Sequence, residues 1–255
     1  IAALEEDLDA AQVVDARGLL VLPGGVDPHC HVGQVQADGG HGVESYESGS
    51  ASTLLGGTTS FITFVSHHRG LNPWETLAET QRRAEASLCD YSFHQIVSDT
   101  NADTIERYLP AVIAGGIRSL KVFLAYGNVR LDDRQLLRVL ATARKHGALV
   151  TIHCENYDAI EWLSEALVAE GLTQPKYHAW SRPEVVEREA TYRAISLAEL
   201  VDQPIQIFHV SGASVAETVA MAQRNGLKVW AETCPQYIAL TGEDLRGLDM
   251  DFEGA

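Results

Sequence analysis

Short apolar segments alternate with longer amphipathic segments along most of this 255-residue chain. The short segments have the composition of buried strands, and the longer ones have the 3.6-residue period of helices. Buried strands separated by helices predict a parallel sheet with right-handed crossovers. The predicted strands are residues 19–22 continuing toward His31, 58–65, 91–97, 119–126, 148–153, 205–210 and 228–232. The predicted helices are residues 73–88, 104–114, 132–146, 159–170, 184–200 and 214–225.

Two α/β folds share this alternation. About eight βα units close a (β/α)8 barrel, and an open doubly wound sheet shows nearly the same pattern. We count about seven units, so the pattern leaves both folds open. Residues 1–20, with a short β-type run at 12–16, lie outside the alternation and are interpreted as the tail of a separate small domain. The chain begins with Ile1 rather than Met, which we interpret as the sign of a fragment or a processed product.

Composition excludes several classes of protein. The chain is 45% hydrophobic and 21% charged, as expected of a soluble globular protein, and no run of about 18 apolar residues predicts a membrane span. The net charge of −16 argues against nucleic acid as a partner, because phosphate binding needs a basic surface. The four cysteines are scattered without a CxxC pair, which favours reduced thiols in a cytoplasmic protein.

Four histidines lie at the carboxyl ends of predicted strands: His29, His31, His153 and His209. In a parallel barrel these ends form one rim, where active sites are built. His29 and His31 are two residues apart on an extended chain, so both side chains point to one face and suit a divalent metal such as zinc. An isolated histidine that ends a buried strand is more often a hydrogen-bonded core residue. Four of them in equivalent positions favour a metal site.

Lys121 lies inside an otherwise apolar predicted strand. A buried, unpaired ammonium group is costly, so this lysine needs a partner or a change of charge. One interpretation is an ion pair with a nearby carboxylate, or a side chain that extends to the rim, and the bare sequence favours it. The other is that the neutral amine has reacted with carbon dioxide to form a carbamate, whose two oxygens can bridge two metals.

Seven segments in the same order resemble the dihydropyrimidinase and hydantoinase family of cyclic amidohydrolases. The segment Pro-Gly-Gly-Val-Asp-Pro-His-Cys-His is similar to the opening metal motif of that family, and Ser-Leu-Lys-Val-Phe-Leu-Ala-Tyr to its bridging-lysine strand. The seven segments are residues 23–31, 56–59, 119–126, 153–156, 177–183 followed by 187–190, 209–211 and 231–237. Together they extend over essentially the whole chain.

This resemblance implies a metal-dependent hydrolase with a (β/α)8 barrel and a small β-sandwich domain. Two divalent metal ions, zinc by preference, are expected. The resemblance assigns one metal to His29 and His31, the other to His153 and His209, and the bridge between them to carbamylated Lys121. The first domain would then be residues 1–20, the remnant of the β-sandwich, and the second residues 21–255, a partial barrel without its C-terminal part.

The implied activity is ring opening of dihydropyrimidines or 5-substituted hydantoins to N-carbamoyl amino acids. Tyr126 matches the tyrosine that hydrogen-bonds the substrate carbonyl and the developing oxyanion. A small cyclic amide is therefore the expected partner, and the resemblance suggests a cytoplasmic homotetramer. Allantoinase or another cyclic amidohydrolase remains an alternative, although Val32 stands where dihydroorotases have arginine. A non-catalytic dihydropyrimidinase-like scaffold is disfavoured, because all five ligands available within this span are present.

One catalytic group of the family is not matched. Its acid/base aspartate lies on an eighth strand, and nothing after Tyr237 resembles that strand. Asp244, Asp249 and Asp251 follow, but none of them ends an apolar run. We therefore expect the aspartate beyond Ala255, and we expect residues 1–255 alone neither to close a barrel nor to turn over substrate.

Four further histidines have weaker assignments. His67 and His68 follow the second predicted strand and are expected to face solvent or to border the site. His94 lies within a strand, either beneath the metals or in the core. His41, among glycines, is expected in a loop over the site.

Overall fold

The structure is a computed structural model that describes residues 9–35, 40 and 42–244. The assignments made above for His41, Asp249 and Asp251 lie outside these residues. The strands are β1 Gly25–Asp27, β2 Thr58–Val65, β3 Asp90–Ile96, β4 Ser119–Phe123, β5 Leu149–His153, β6 Ile205–Ile207 and β7 Val229–Ala231. The helices are α1 Tyr46–Leu55, α2 Pro73–Ala84, α3 Leu109–Ala114, α4 Asp133–His146, α5 Tyr157–Ala169, α6 Glu184–Leu200 and α7 Ala213–Arg224.

The seven strands form one parallel sheet in the order of the sequence, from β1 to β7. Every strand pairs with its sequence neighbour, and the crossovers between them carry the helices. The sheet is a curled half-barrel, which confirms the predicted α/β fold as an incomplete (β/α)8 barrel. Pairing along the strands does not join β1 to β7 in the described part of the chain. No described helix is long and apolar enough to cross a membrane.

The two faces of β4 show how the sheet separates its core from its site. Leu120 and Val122 are fully buried and belong to the large cluster that includes Leu136 and Leu140 of α4. Each such side chain stabilises the fold by about 1.5–3 kcal/mol. Because side chains alternate along a strand, Lys121 points to the opposite face, into the interior of the half-barrel. Burial of Leu120 and Val122 on the outer face of β4 thus directs Lys121 into the interior of the half-barrel.

Local sequence signals begin and end the helices as expected. Asp132 caps α4, accepting a hydrogen bond from the backbone of Gln135, whose side chain bonds back to the cap. Gly147 ends the same helix at φ 75°. Asn72 caps α2, with Pro73 in its first turn.

The structure differs from the predicted elements in three places. Residues 12–16 and 19–22 form no strand, because the described chain offers their backbones no strand partner, and their apolar side chains are exposed. Helix α1, which the pattern did not predict, has a Ser45 cap and a short sequence with three serines and one glycine. Within 104–114 a π-helical turn, Thr104–Tyr108, precedes α3, because Pro110 lacks the N–H that would bond to Glu106.

Candidate metal centre and active site

A cavity of about 440 Å³ opens at the carboxyl ends of the strands. All six residues predicted from the sequence line it: His29, His31, Lys121, Tyr126, His153 and His209. The other lining residues are Phe123, Cys154, Glu155, His178, Arg182, Glu187, Ser211 and Tyr237. The parallel sheet brings these residues together because every strand ends at the same rim.

The four imidazole rings form a connected series across the floor of the cavity. The ring centroids of His31 and His29 are 5.5 Å apart, as are those of His29 and His209. The centroids of His209 and His153 are 4.6 Å apart. The series therefore joins the end of β1 to the ends of β5 and β6, on the two sides of the half-barrel.

Hydrogen bonds at the back of His29 and His31 fix which ring nitrogen carries a proton. The Nδ1 atom of His29 bonds to the Glu232 carboxylate, and Nδ1 of His31 lies 2.5 Å from Gln34 Oε1. Since both partners are oxygen acceptors, each Nδ1 carries the hydrogen and each Nε2 keeps a lone pair. This is the arrangement in which an outer hydrogen bond orients a metal-ligating histidine.

His153 and His209 show the complementary arrangement. The Nε2 atom of His153 lies 2.6 Å from Glu155 Oε2, which leaves the lone pair on Nδ1. That Nδ1 lies 3.0 Å from Nε2 of His209, from which it accepts a hydrogen bond. The two nitrogens thus converge on one point of the cavity.

The environment keeps three of these rings neutral, those of His31, His153 and His209. Burial lowers the pKa of His31 and lowers the pKa of His153 well below its ordinary value. Burial, with the His153 and Lys121 charges, lowers the pKa of His209 to about 2. Neutral imidazole is the form that binds metals, so these three rings are in the ligating state at neutral pH.

Lys121 lies beneath the rings and is 2% exposed. Its Nζ atom has no hydrogen-bond partner within the described chain and lies over aromatic rings, 4.1 Å from the centroid of Phe208 and 4.8 Å from that of Phe123. The structure therefore gives it neither the ion pair nor the path to the rim that the bare sequence favoured. Burial lowers the pKa of its amine to about 7, so a large neutral fraction exists at neutral pH.

These residues fit a pair of divalent metals only if Lys121 takes part. No group of three or more His, Cys, Asp or Glu side chains in the described ranges is arranged to hold a metal by itself. The imidazoles instead form two pairs, His29 with His31 and His153 with His209. Imidazole is not an anionic ligand, so these pairs alone would leave the positive charge of the metals unbalanced. A neutral, unpartnered amine in the same cavity is the group that can supply one, as a carbamate.

Tyr126 stands just beyond β4, at the mouth of the cavity. It adopts φ 66°, a left-handed conformation that is rare for a side chain of this size, and it is 43% exposed. Its ring centroid is 5.0 Å from that of His153. Burial and the nearby Glu155 raise its pKa, so the hydroxyl stays protonated and can donate a hydrogen bond into the cavity.

Several polar residues of the site were not assigned a role from the sequence. Glu155 faces Arg182 at 3.6 Å, and Arg182 Nη1 lies 3.5 Å from His178 Nδ1, forming one polar wall. Glu232 orients His29 and also accepts a hydrogen bond from Gln206. A usable signal existed for Glu232, because it ends a predicted strand at the rim position that singled out the histidines.

Two other histidines are structural. His94 is 5% exposed and bonds to Ser119 and to the carbonyl of Pro28, at 2.6 and 2.7 Å. His67 is 1% exposed and bonds to the carbonyl of Leu71 and to Ser98, so the expectation that it faces solvent or borders the site is wrong. Its ring is drawn inward because the backbone groups of the loop after β2 need a buried partner.

The chain belongs to the amidohydrolase family, whose sequence model matches residues 20–178. Members of this family generally depend on metal ions. The chain is 40% identical to the D-hydantoinase of Geobacillus stearothermophilus, over all of this chain and 54% of the relative. It is 36% identical to the dihydropyrimidinase of Arabidopsis thaliana, over 96% of this chain and 45% of the relative.

Solved structures give the same result. The crystal structure of dihydropyrimidinase from Brevibacillus agri matches with a TM-score of 0.92 at 39% identity, over 96% of this chain and 53% of the other. A D-hydantoinase structure matches with a TM-score of 0.91 at 40% identity, over 98% and 54%. The chain thus spans about half the length of the relatives it matches.

Proposed function

We propose that the protein is a metal-dependent hydrolase that opens the cyclic amide ring of dihydropyrimidines or 5-substituted hydantoins to give N-carbamoyl amino acids. One observation carries the proposal: four imidazoles share a cavity with a buried lysine whose amine has no hydrogen-bond partner in the described chain. The similarity to D-hydantoinases and dihydropyrimidinases supports this substrate class. The activity is proposed for the whole protein at its natural length.

The imidazoles and Lys121 would hold the metals. We assign His29 and His31 to one ion, His153 and His209 to the other, and a carbamate on Lys121 to the bridge. When bound, divalent metals supply an activated water near neutral pH and polarise a carbonyl. Zinc suits imidazole and oxygen ligands. Burial among aromatic rings keeps a large fraction of the Lys121 amine neutral, which is the form that reacts with carbon dioxide.

Tyr126 would bind the substrate carbonyl. Its protonated hydroxyl faces the cavity, where it can donate to the oxygen on which negative charge develops during attack. The polar wall of Glu155, Arg182 and His178 stands beside it and offers both donors and an acceptor to the ring amides. A proton must also move from the attacking water to the leaving nitrogen. We propose that the unmatched aspartate of the family does this, in a part of the protein beyond Ala255.

The deciding experiment measures metal content per chain by elemental analysis of the full-length protein, purified without chelators. We expect about two zinc or similar divalent ions per chain, and hydrolysis of dihydrouracil or of a 5-substituted hydantoin. Lys121→Ala should lose the metal and the activity. Lys145→Ala, on the exposed last turn of α4, serves as the control and should keep both. A well-folded parent protein without metal would contradict the proposal.

Assays of the same purified protein distinguish the alternative functions. An allantoinase would prefer allantoin within the substrate panel. A non-catalytic scaffold would turn over none of these compounds. Carbamylation itself is detected by carbon-13 nuclear magnetic resonance after incubation with labelled bicarbonate, as a carbamate signal that Lys121→Ala abolishes.

We further propose, from the family resemblance, that the protein is a cytoplasmic homotetramer. The described chain has four free cysteines and no disulfide, as a reducing compartment allows. The assignment of residues 1–20 to a small β-sandwich domain also stays a prediction. Light scattering of the full-length protein checks the number of subunits, and a mass other than four chains would contradict the tetramer.

A further inference from the structure

Two glutamates on the first turns of α6 hold the loop that follows β6. Glu187 accepts hydrogen bonds from the backbone N–H and the hydroxyl of Ser211, at 3.0 and 2.5 Å. Glu184 accepts the same pair of bonds from Ser214, at 2.7 and 2.6 Å. Helix α6 thus holds the loop after β6 at Ser211 and the first turn of α7 at Ser214.

The segment beneath the first of these points is strained. His209 adopts φ 42°, a left-handed conformation that disfavours a side chain with a Cβ. Such a conformation persists only where the surrounding contacts enforce it. The backbone N–H of Val210 bonds to the Glu232 carbonyl on one side, and Ser211 bonds to Glu187 on the other. Glu187 therefore supplies one of the contacts that hold the His209 backbone in this conformation.

The two fastening points differ in their position relative to the site. Glu187 and Ser211 both line the cavity, whereas Glu184 and Ser214 do not. Glu184 acts at the start of α7, where the Gly212 cap has no side chain to bond to the helix. A Cβ added to Gly212 would lie 2.4 Å from Glu184 Cγ, which shows how closely the loop packs on α6 there.

We propose that Glu187 is a positioning residue for His209, acting through Ser211 to aim the imidazole at its metal. The inference rests on the proposed function, because it assumes that His209 binds a metal. Glu187 does not touch His209 in this scheme; it holds the turn on which His209 is mounted. Glu184 makes the same kind of hydrogen bonds, but only to helix α7. A Glu184 variant is therefore the control that distinguishes a positioning role from a purely stabilising one.

The experiment compares Zn²⁺ affinity, measured by competition with a chromogenic chelator, across four single variants of the full-length protein. Glu187→Gln should weaken the affinity about tenfold or more, as loss of an outer contact to a metal ligand does. Ser211→Ala keeps the carboxylate charge and removes one hydrogen bond, so it should weaken the affinity about threefold or more. Glu184→Gln and Ser214→Ala should leave it unchanged. Thermal unfolding in excess chelator shows that each variant is folded.

A double variant tests whether Glu187 and Ser211 act as one unit. Glu187→Gln with Ser211→Ala should weaken Zn²⁺ binding by less than the product of the two single losses, since both changes act on the same contact. Unchanged affinity in Glu187→Gln would overturn the inference. The proposed function would still stand in that case, provided the parent protein binds Zn²⁺. A loss in Glu187→Gln without any in Ser211→Ala would also overturn it, because charge alone would then explain the effect. A parent protein without Zn²⁺ would overturn both.

Discussion

At the residue scale, backbone strain is concentrated at the cavity. Only three non-glycine residues of the described chain have positive φ values, and two of them, Tyr126 and His209, line the cavity. The third, Asp202, lies in a turn far from it. Residues held in sparsely populated conformations cluster at functional sites. There a strained backbone can direct a side chain to a position that a regular helix or strand would not allow. Tyr126 reaches over the rings for this reason.

Tyr126→Phe should remove the proposed hydrogen bond to the substrate oxygen without removing the ring. We expect kcat to fall by about 10²–10³, as it does when one oxyanion donor is lost. Metal content should not change. Tyr192→Phe, an exposed position on α6, is the matched control and should leave kcat unchanged. A steady-state assay of both variants checks this, and equal kcat values in the two would contradict the assigned role.

Burial of Lys121 should make the metal-free protein more stable as the pH rises. Burial lowers the pKa of this amine to about 7, whereas that of an unfolded lysine is about 10.4. Between these values the unfolded chain holds a proton that the folded chain lacks. The free energy of unfolding should therefore rise by up to about 1.4 kcal/mol per pH unit from this residue.

Lys121→Met isolates this contribution above pH 7, because burial, the largest cause of the lowered pKa values of His31, His153 and His209, acts in both proteins. Urea denaturation from about pH 7 to 9, in chelator and carbon dioxide-free buffer, gives the two pH profiles. The parent profile should rise relative to that of the variant. Parallel profiles would mean that Lys121 is not a buried amine in the folded protein.

Much of the site was predictable from residue type and position. The four histidines and Lys121 stood out because each is a polar residue at the end of, or within, an apolar run. Glu232 and Glu187 did not stand out, because glutamate is common on exposed helices and strand ends. Their roles depend on contacts between distant parts of the chain, such as the one between Glu232 and His29, 203 residues apart.

At the element scale, one glycine controls how α4 ends. Gly147 has φ 75° and nothing within 4 Å of where a Cβ would be. Gly147→Ala should therefore lower the free energy of unfolding by about 1 kcal/mol through backbone strain alone. Gly56 ends α1 at φ −80°, a conformation open to alanine, so Gly56→Ala should be neutral or slightly stabilising. Urea denaturation of both variants checks the difference, and equal changes would contradict this account.

Strands β2 to β7 could be predicted because their residues are apolar and bounded by helix signals. The ends were less predictable. Residues 119–126 were expected to form one strand, but β4 ends at Phe123 and the chain turns at Tyr126. Residues 19–22 are as apolar as a strand, yet a strand also needs a neighbour to receive its hydrogen bonds, and the pattern does not reveal which neighbour is present.

At the scale of the whole molecule, the edge of β7 carries an exposed aromatic residue. Trp230 is 51% exposed, beside backbone groups that no eighth strand pairs within the described chain. A protein of residues 1–255 alone should therefore self-associate through this edge. Trp230→Lys should reduce the association. Trp162→Lys, at a more exposed tryptophan on α5, is the control and should not. Light scattering across a concentration series measures the self-association. Equal effects of Trp230→Lys and Trp162→Lys would contradict a contact that is specific to the β7 edge.

The order of the strands has a consequence for how the molecule is made. Because every strand pairs with the one before it, a chain leaving the ribosome can add its βα units one at a time. The contact between His29 and Glu232 joins the first unit to the seventh, so it closes the longest loop and forms last. His29 is synthesised early, but its contact with Glu232 cannot form until the seventh unit has been synthesised. If the proposed function is right, metal uptake reports that the seven described units have assembled, and a chain that lacks the seventh unit binds metal weakly.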